Sequence, residues 1–157
     1  MTRIIIPTFW IGVGAMVCHV GALSEQQQLD KNRGKWNSFI GSGAAGYSMK
    51  FTHECFCPPE YWGPFLVAVN SMAKVASACY LEGSEFAGTC VKDQSTMLVI
   101  TVEDAFDQVQ RALNEGVNVF QVMYDKDGGY PRDVYIDWSD ATVDEETSFK
   151  ISSVVPL

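Results

Sequence analysis

From Tyr47 the side chains alternate with a period of two, and that period belongs to a β-strand with one buried face. Tyr47, Met49, Phe51, His53, Cys55 and Cys57 share one face, while Ser48, Lys50, Thr52 and Glu54 share the other. Pro58-Pro59 ends the run, because proline has no N–H to give to a ladder. A half-buried strand needs neighbours and a covering layer, which the rest of the chain must supply. Phe65 to Val69 is short and almost wholly apolar, as a central strand would be. Asn70 to Lys74 reads as a turn and Val75 to Leu81 as a third strand, and short connections favour an antiparallel meander.

Two helices are expected to provide the cover. Ser24 and Gln27 make a capping-box pattern ahead of Leu29, Arg33, Trp36 and Ile40, which predicts a helix over 24–39. Gly34 weakens it by about 1 kcal/mol relative to alanine. Residues 41–46 are glycine-rich and connect it to the first strand. Glu82 to Met97 has no clear period and reads as a loop. Thr101 then caps a second helix, with Glu103 and Asp104 at its positive end, Ala105, Phe106, Val109 and Leu113 as its buried stripe, and Gly116 closing it. Strands follow over 117–124, around Val134, Ile136 and Trp138, and over 148–155, with a turn at 125–129. The expected class is α+β: an antiparallel β-sheet with helices packed on one face, in the order αβββ-αβββ. The halves share that order without matching residues, so no repeat is inferred.

Residues 1–22 place the chain. Arg3 is followed by an apolar run from Ile4 to Val17, and Val20 and Ala22 supply small residues before a polar segment. This is the layout of a signal peptide, cut near Leu23 to leave 23–157 as a single α+β domain. The run is short, and broken by Pro7, for a membrane span. Two alternatives stay open: lipidation at Cys18, which Val17 suits poorly, and a retained anchor drawing on Phe9 to Val20. The expected location is secreted or extracytoplasmic, with no stable membrane span after cleavage. Cleavage would leave 135 of the 157 residues, enough for a core without staples. Only Arg3 of the 11 basic residues is lost, so 10 face 19 acids, net −9. Nucleic acid is thereby excluded as a partner.

Several landmarks act together. They are Lys35-Trp36, Gly46-Tyr47-Ser48, Cys55-Phe56-Cys57-Pro58-Pro59-Glu60, Thr101 to Asp107, Tyr124 with Gly129-Tyr130-Pro131, Ile136-Asp137, and Asp144-Glu145-Glu146. In that order, over roughly 30–155, the chain resembles the domain of unknown function 6174 family of small exported proteins or lipoproteins. The resemblance implies fold and export and transfers no catalytic residue. Cys79, Cys90 and a longer loop before Thr101 depart from the family pattern.

His53, Cys55 and Cys57 form the sharpest chemical constellation. On a flat strand they project from one face, about 6.6 Å apart between neighbours. Imidazole and thiolates suit copper(I) or zinc, yet a fourth ligand would have to come from Cys79 or Cys90, and the spacing fits no zinc finger. The competing use of Cys55, Cys57, Cys79 and Cys90 is two disulfides, for which three connectivities exist. A 55–57 bridge sits near the Cα limit of about 6.8 Å, and a 79–90 bridge would close a loop for roughly 2–3 kcal/mol. The pairing 55–57 with 79–90 is favoured. His53 is the only histidine after Leu23, and no nucleophile elbow, phosphate loop or His-Glu-x-x-His motif occurs.

The acids from Asp125 to Glu146 break the EF-hand pattern and read as a solvated turn and rim. Tyr61, Trp62 and Tyr130 are candidate binding aromatics, whereas Trp36 and Trp138 fit core faces. The expected function is therefore a non-enzymatic binding or interaction module, stabilised by disulfides, for a protein or small-molecule ligand and without a cofactor. The alternative is a soft-metal protein using His53, Cys55 and Cys57. The exported chain is expected to begin near Leu23 by mass spectrometry and to react with no thiol reagent after denaturation. An intact Met1 on a fully reduced cytosolic molecule would contradict this.

Overall fold

The capping box at Ser24 forms: the Gln27 N–H donates to the Ser24 hydroxyl at 3.2 Å and the Ser24 N–H to the Gln27 side-chain oxygen at 3.0 Å. Helix α1 (Glu25–Ile40) starts there. The computed structural model describes residues 23–41, 43–91, 99–117, 119–138 and 146–157. The expected leader with Cys18, the end of the long loop at 92–98, and Asp140, Asp144 and Glu145 lie outside the described residues. After α1 come β1 (Gly46–His53), a 3-10 turn (Pro59–Tyr61), β2 (Phe65–Asn70) and β3 (Val75–Tyr80). The second half holds α2 (Val102–Glu115), β4 (Val119–Tyr124), β5 (Pro131–Asp137) and β6 (Thr147–Pro156).

The chain is mixed α+β, with one six-stranded sheet in the order β3-β2-β1-β6-β5-β4. Every neighbouring pair is antiparallel. Two three-stranded meanders thus meet where β1 pairs with β6. Register follows the apolar alternation: Tyr47, Met49 and Phe51 stand opposite Val69, Val67 and Phe65, and Phe51 also faces Ile151. In the other half Val134 lies between Val122 and Phe149. Leu29 and Trp36 from α1, and Val102, Ala105, Phe106, Val109 and Ala112 from α2, join the same buried cluster as this sheet face. Each large side chain buried there contributes about 1.5–3 kcal/mol. Among the described residues no helix is long and apolar enough to cross a membrane.

One carboxylate ties the layers together. Glu103, in the first turn of α2, accepts from the Tyr47 hydroxyl at 2.6 Å and from the Trp36 indole N–H at 3.1 Å. The Tyr47 oxygen in turn accepts the Val102 N–H at 2.8 Å. Trp36 stands edge-on to Tyr47, ring centroids 5.1 Å apart. Gly129 marks a second close approach: at φ 74° a Cβ there would sit 2.5 Å from the Asn32 carbonyl oxygen, so the β4–β5 turn lies directly on α1.

Beyond shifts of one or two residues at element ends, three features differ from the sequence expectation. Strand β1 stops at His53 instead of running to Cys57, because the chain turns away where Cys55 and Cys57 draw together and Pro58-Pro59 follows. Ala112 takes the buried helix position expected for Leu113, which sits half-exposed at the margin of the stripe. Trp138 lies one residue past β5, its ring 4.4 Å from the Arg111 guanidinium carbon.

Burial raises the Tyr47 pKa, and the Glu103 carboxylate adds to the rise. The unfolded chain releases this proton near pH 10 while the folded chain keeps it, so its stabilising contribution is complete below pH 10 and declines above it. Tyr47→Phe leaves the Glu103 carboxylate and the Val102 N–H short of a partner. It is expected to cost about 1–3 kcal/mol at neutral pH and to flatten the alkaline decline. Urea denaturation of both proteins from pH 7 to 11 checks this, and parallel curves would contradict it.

Candidate functional site

The end of β1 opens into a cleft of about 900 Å³. Its walls are His53 to Cys57, Ile100 before α2, Gln108 on α2, Tyr135 on β5, and Glu146, Thr147 and Ser148 at the start of β6. Register explains the assembly: His53 pairs with Phe149 across β1 and β6, and Tyr135 pairs with Ser148 across β5 and β6. The backbone past β1 is pinned on both sides. The His53 N–H donates to the Trp62 carbonyl and the Glu54 N–H to the Ser148 carbonyl, each at 2.9 Å. The Glu54 carboxylate binds Lys150 and accepts the Ser148 hydroxyl at 3.2 Å. The Lys150 ammonium holds the Glu54 carboxyl below the usual carboxylate range.

Two residues that line the cleft each carry a buried polar atom with no hydrogen-bond partner among the described residues: His53 Nδ1 and Gln108 Oε1. Each such atom costs about 1–3 kcal/mol when it stays unpaired, so two on one cleft ask for an explanation. His53 stacks on Phe51 at 6.3 Å, and burial lowers its pKa, which favours the neutral imidazole.

Cys55 and Cys57 stand at disulfide distance, with Cα atoms 5.2 Å apart. Phe56 between them is 98 % exposed at the cleft mouth. The donor atoms of His53, Cys55 and Cys57 all lie within 4.8 Å of one another, so the sequence-based trio does converge. Cys79 and Cys90 also stand at disulfide distance, with Cα atoms 3.9 Å apart. They sit at edge strand β3, with β2 between it and β1, and do not belong to the cleft.

The candidate aromatics separate. Trp62 is 46 % exposed and Tyr61 is half-buried. Tyr130, at 6 % exposure, packs edge-on against Trp36 and belongs to the core instead of a binding surface. Asp125 caps its own turn, accepting from the Asp127 and Gly128 N–H groups at 3.0 and 2.7 Å. Gln108 was not anticipated. Its one sequence signal is position: three residues after Ala105 and four before Ala112, it borders the apolar stripe.

The chain matches a family of unknown function, DUF6174, over residues 28–156, and it belongs to that family. No curated protein and no solved structure matches it. Gln108→Leu replaces an unpaired oxygen by apolar surface of similar size. Its thermal stability is expected to stay unchanged or to rise, by up to about 1 kcal/mol. A loss of more than about 1 kcal/mol would show that the oxygen is already bonded.

Proposed function

We propose that this protein is an exported, non-enzymatic binding module whose cleft beside His53 takes a small neutral or cationic ligand bearing hydrogen-bond donors. The observation that carries this reading is that two residues lining one cleft, His53 and Gln108, each hold a buried atom without a partner among the described residues, Nδ1 and Oε1. A ligand donor satisfies the Gln108 oxygen once that side chain turns toward the cleft, and the exposed Phe56 and half-exposed Ile100 offer apolar contact. Anions are disfavoured by a net charge of −8 and by Glu146 at the rim. Tyr61 and Trp62, whose carbonyl holds the His53 backbone, provide the adjoining surface for a larger partner.

The Ser148 hydroxyl in the cleft donates to Glu54, which argues against a serine nucleophile activated by His53 and supports the non-enzymatic reading. Export follows from the leader-like residues 1–22, and the two close cysteine pairs suit an oxidising compartment. The test is a set of small amides, primary amines and carboxylates titrated into labelled oxidised protein by NMR. Amides or amines are expected to shift the Gln108 side-chain amide and the His53 ring, and Gln108→Leu to weaken binding tenfold or more. Tighter binding of the carboxylates, or shifts centred on β3, would overturn the proposal.

A further inference from the structure

We propose that reduction of the Cys55–Cys57 pair converts the end of β1 into a copper(I) site made of two thiolates and the His53 imidazole. The inference shares His53 with the cleft but does not depend on what the oxidised cleft binds. Three donors within 4.8 Å of one another are close enough to meet on one ion after small side-chain rotations. The turn that follows His53 makes this possible: the Cα atoms of Cys55 and Cys57 are 5.2 Å apart, nearer than the about 6.6 Å of a flat strand. A second, independent observation points the same way, since His53 Nδ1 is buried without a protein partner among the described residues. The His53 ring therefore has a nitrogen that no described protein group competes for.

The donor set selects the metal. Two soft thiolates and one imidazole satisfy three-coordinate copper(I), whereas structural zinc asks for four protein ligands. Cys79 and Cys90 are paired with each other at the far sheet edge. The nearest carboxylate in sequence, Glu54, is engaged by Lys150 and Ser148. No fourth donor therefore comes from the described cysteines or from Glu54. The chemistry balances with a dithiol as reductant. Its two electrons and two protons cleave the Cys55–Cys57 bond to two thiols while the dithiol closes to its own disulfide. Copper(I) then binds both sulfurs and His53, and both thiol protons leave to solvent. The oxidised pair has no thiolate to offer, so the oxidation state of the pair switches the site.

The experiment titrates copper(I) bathocuproine disulfonate, under anaerobic conditions, with the whole protein before and after reduction. The reduced protein is expected to withdraw one copper(I) per chain and the oxidised protein none. Cys55→Ser is expected to abolish uptake, and His53→Gln to lower affinity tenfold or more. The double variant Cys79→Ser/Cys90→Ser is expected to retain the site. X-ray absorption on the loaded wild type, which needs no variant to fold, should show two sulfurs and one nitrogen. Equal uptake by the oxidised form, unchanged affinity in His53→Gln, or a shell of three or more sulfurs would overturn the proposal. Amide and amine binding is measured on the oxidised form, so failure of one reading leaves the other standing.

Discussion

The carboxylate of Glu103 is the joint on which the rest of the molecule is hung. Itself part of α2, it reaches α1 through Trp36 and β1 through Tyr47. It accepts both hydrogen bonds from the first turn of a helix, where the backbone dipole is positive and favours negative charge. Because Tyr47 lies at the opposite end of β1 from His53, this contact sets the depth and orientation of the strand whose other end builds the cleft. The remaining layers then follow by apolar burial, which has no direction of its own.

From that joint the site is a consequence of where β1 runs out. Pairing with β2 ends at Phe51–Phe65, whereas pairing with β6 continues to His53–Phe149. Past Phe51 the strand has lost β2, so the His53 N–H finds the Trp62 carbonyl instead, while on the β6 side the Glu54 N–H still reaches the Ser148 carbonyl. The chain therefore leaves the sheet with its apolar-face residues still facing Gln108 and Ile100, and the space between is the cleft. Stability and site draw on the same alternation, but the site uses only its last members.

Periodic features were readable in the sequence because they are local. The capping box at Ser24, the Thr101 N-cap, the stripe of α2 and the β2 and β3 runs rest on spacing within one element. The trio His53, Cys55 and Cys57 was legible for the same reason, although a flat strand was the wrong geometry for it. Two things escaped. The end of β1 at His53 depends on neighbours that arrive from β2 and β6, far away in the chain. Tyr130 looked like a surface aromatic beside a turn, yet Gly129 lets that turn lie against α1 and brings the ring onto Trp36. Gln108 was hidden because a glutamine on an amphipathic helix ordinarily faces water, and only packing against the cleft reveals its orphaned oxygen.

The nitrogen-15 resonances of the His53 ring, recorded on oxidised protein without ligand, test the account most directly. A neutral imidazole whose Nδ1 carries the shift of a nitrogen free of protein hydrogen bonds is the predicted result. A resonance already displaced to that of a hydrogen-bonded nitrogen, and insensitive to occupants of the cleft, would contradict it.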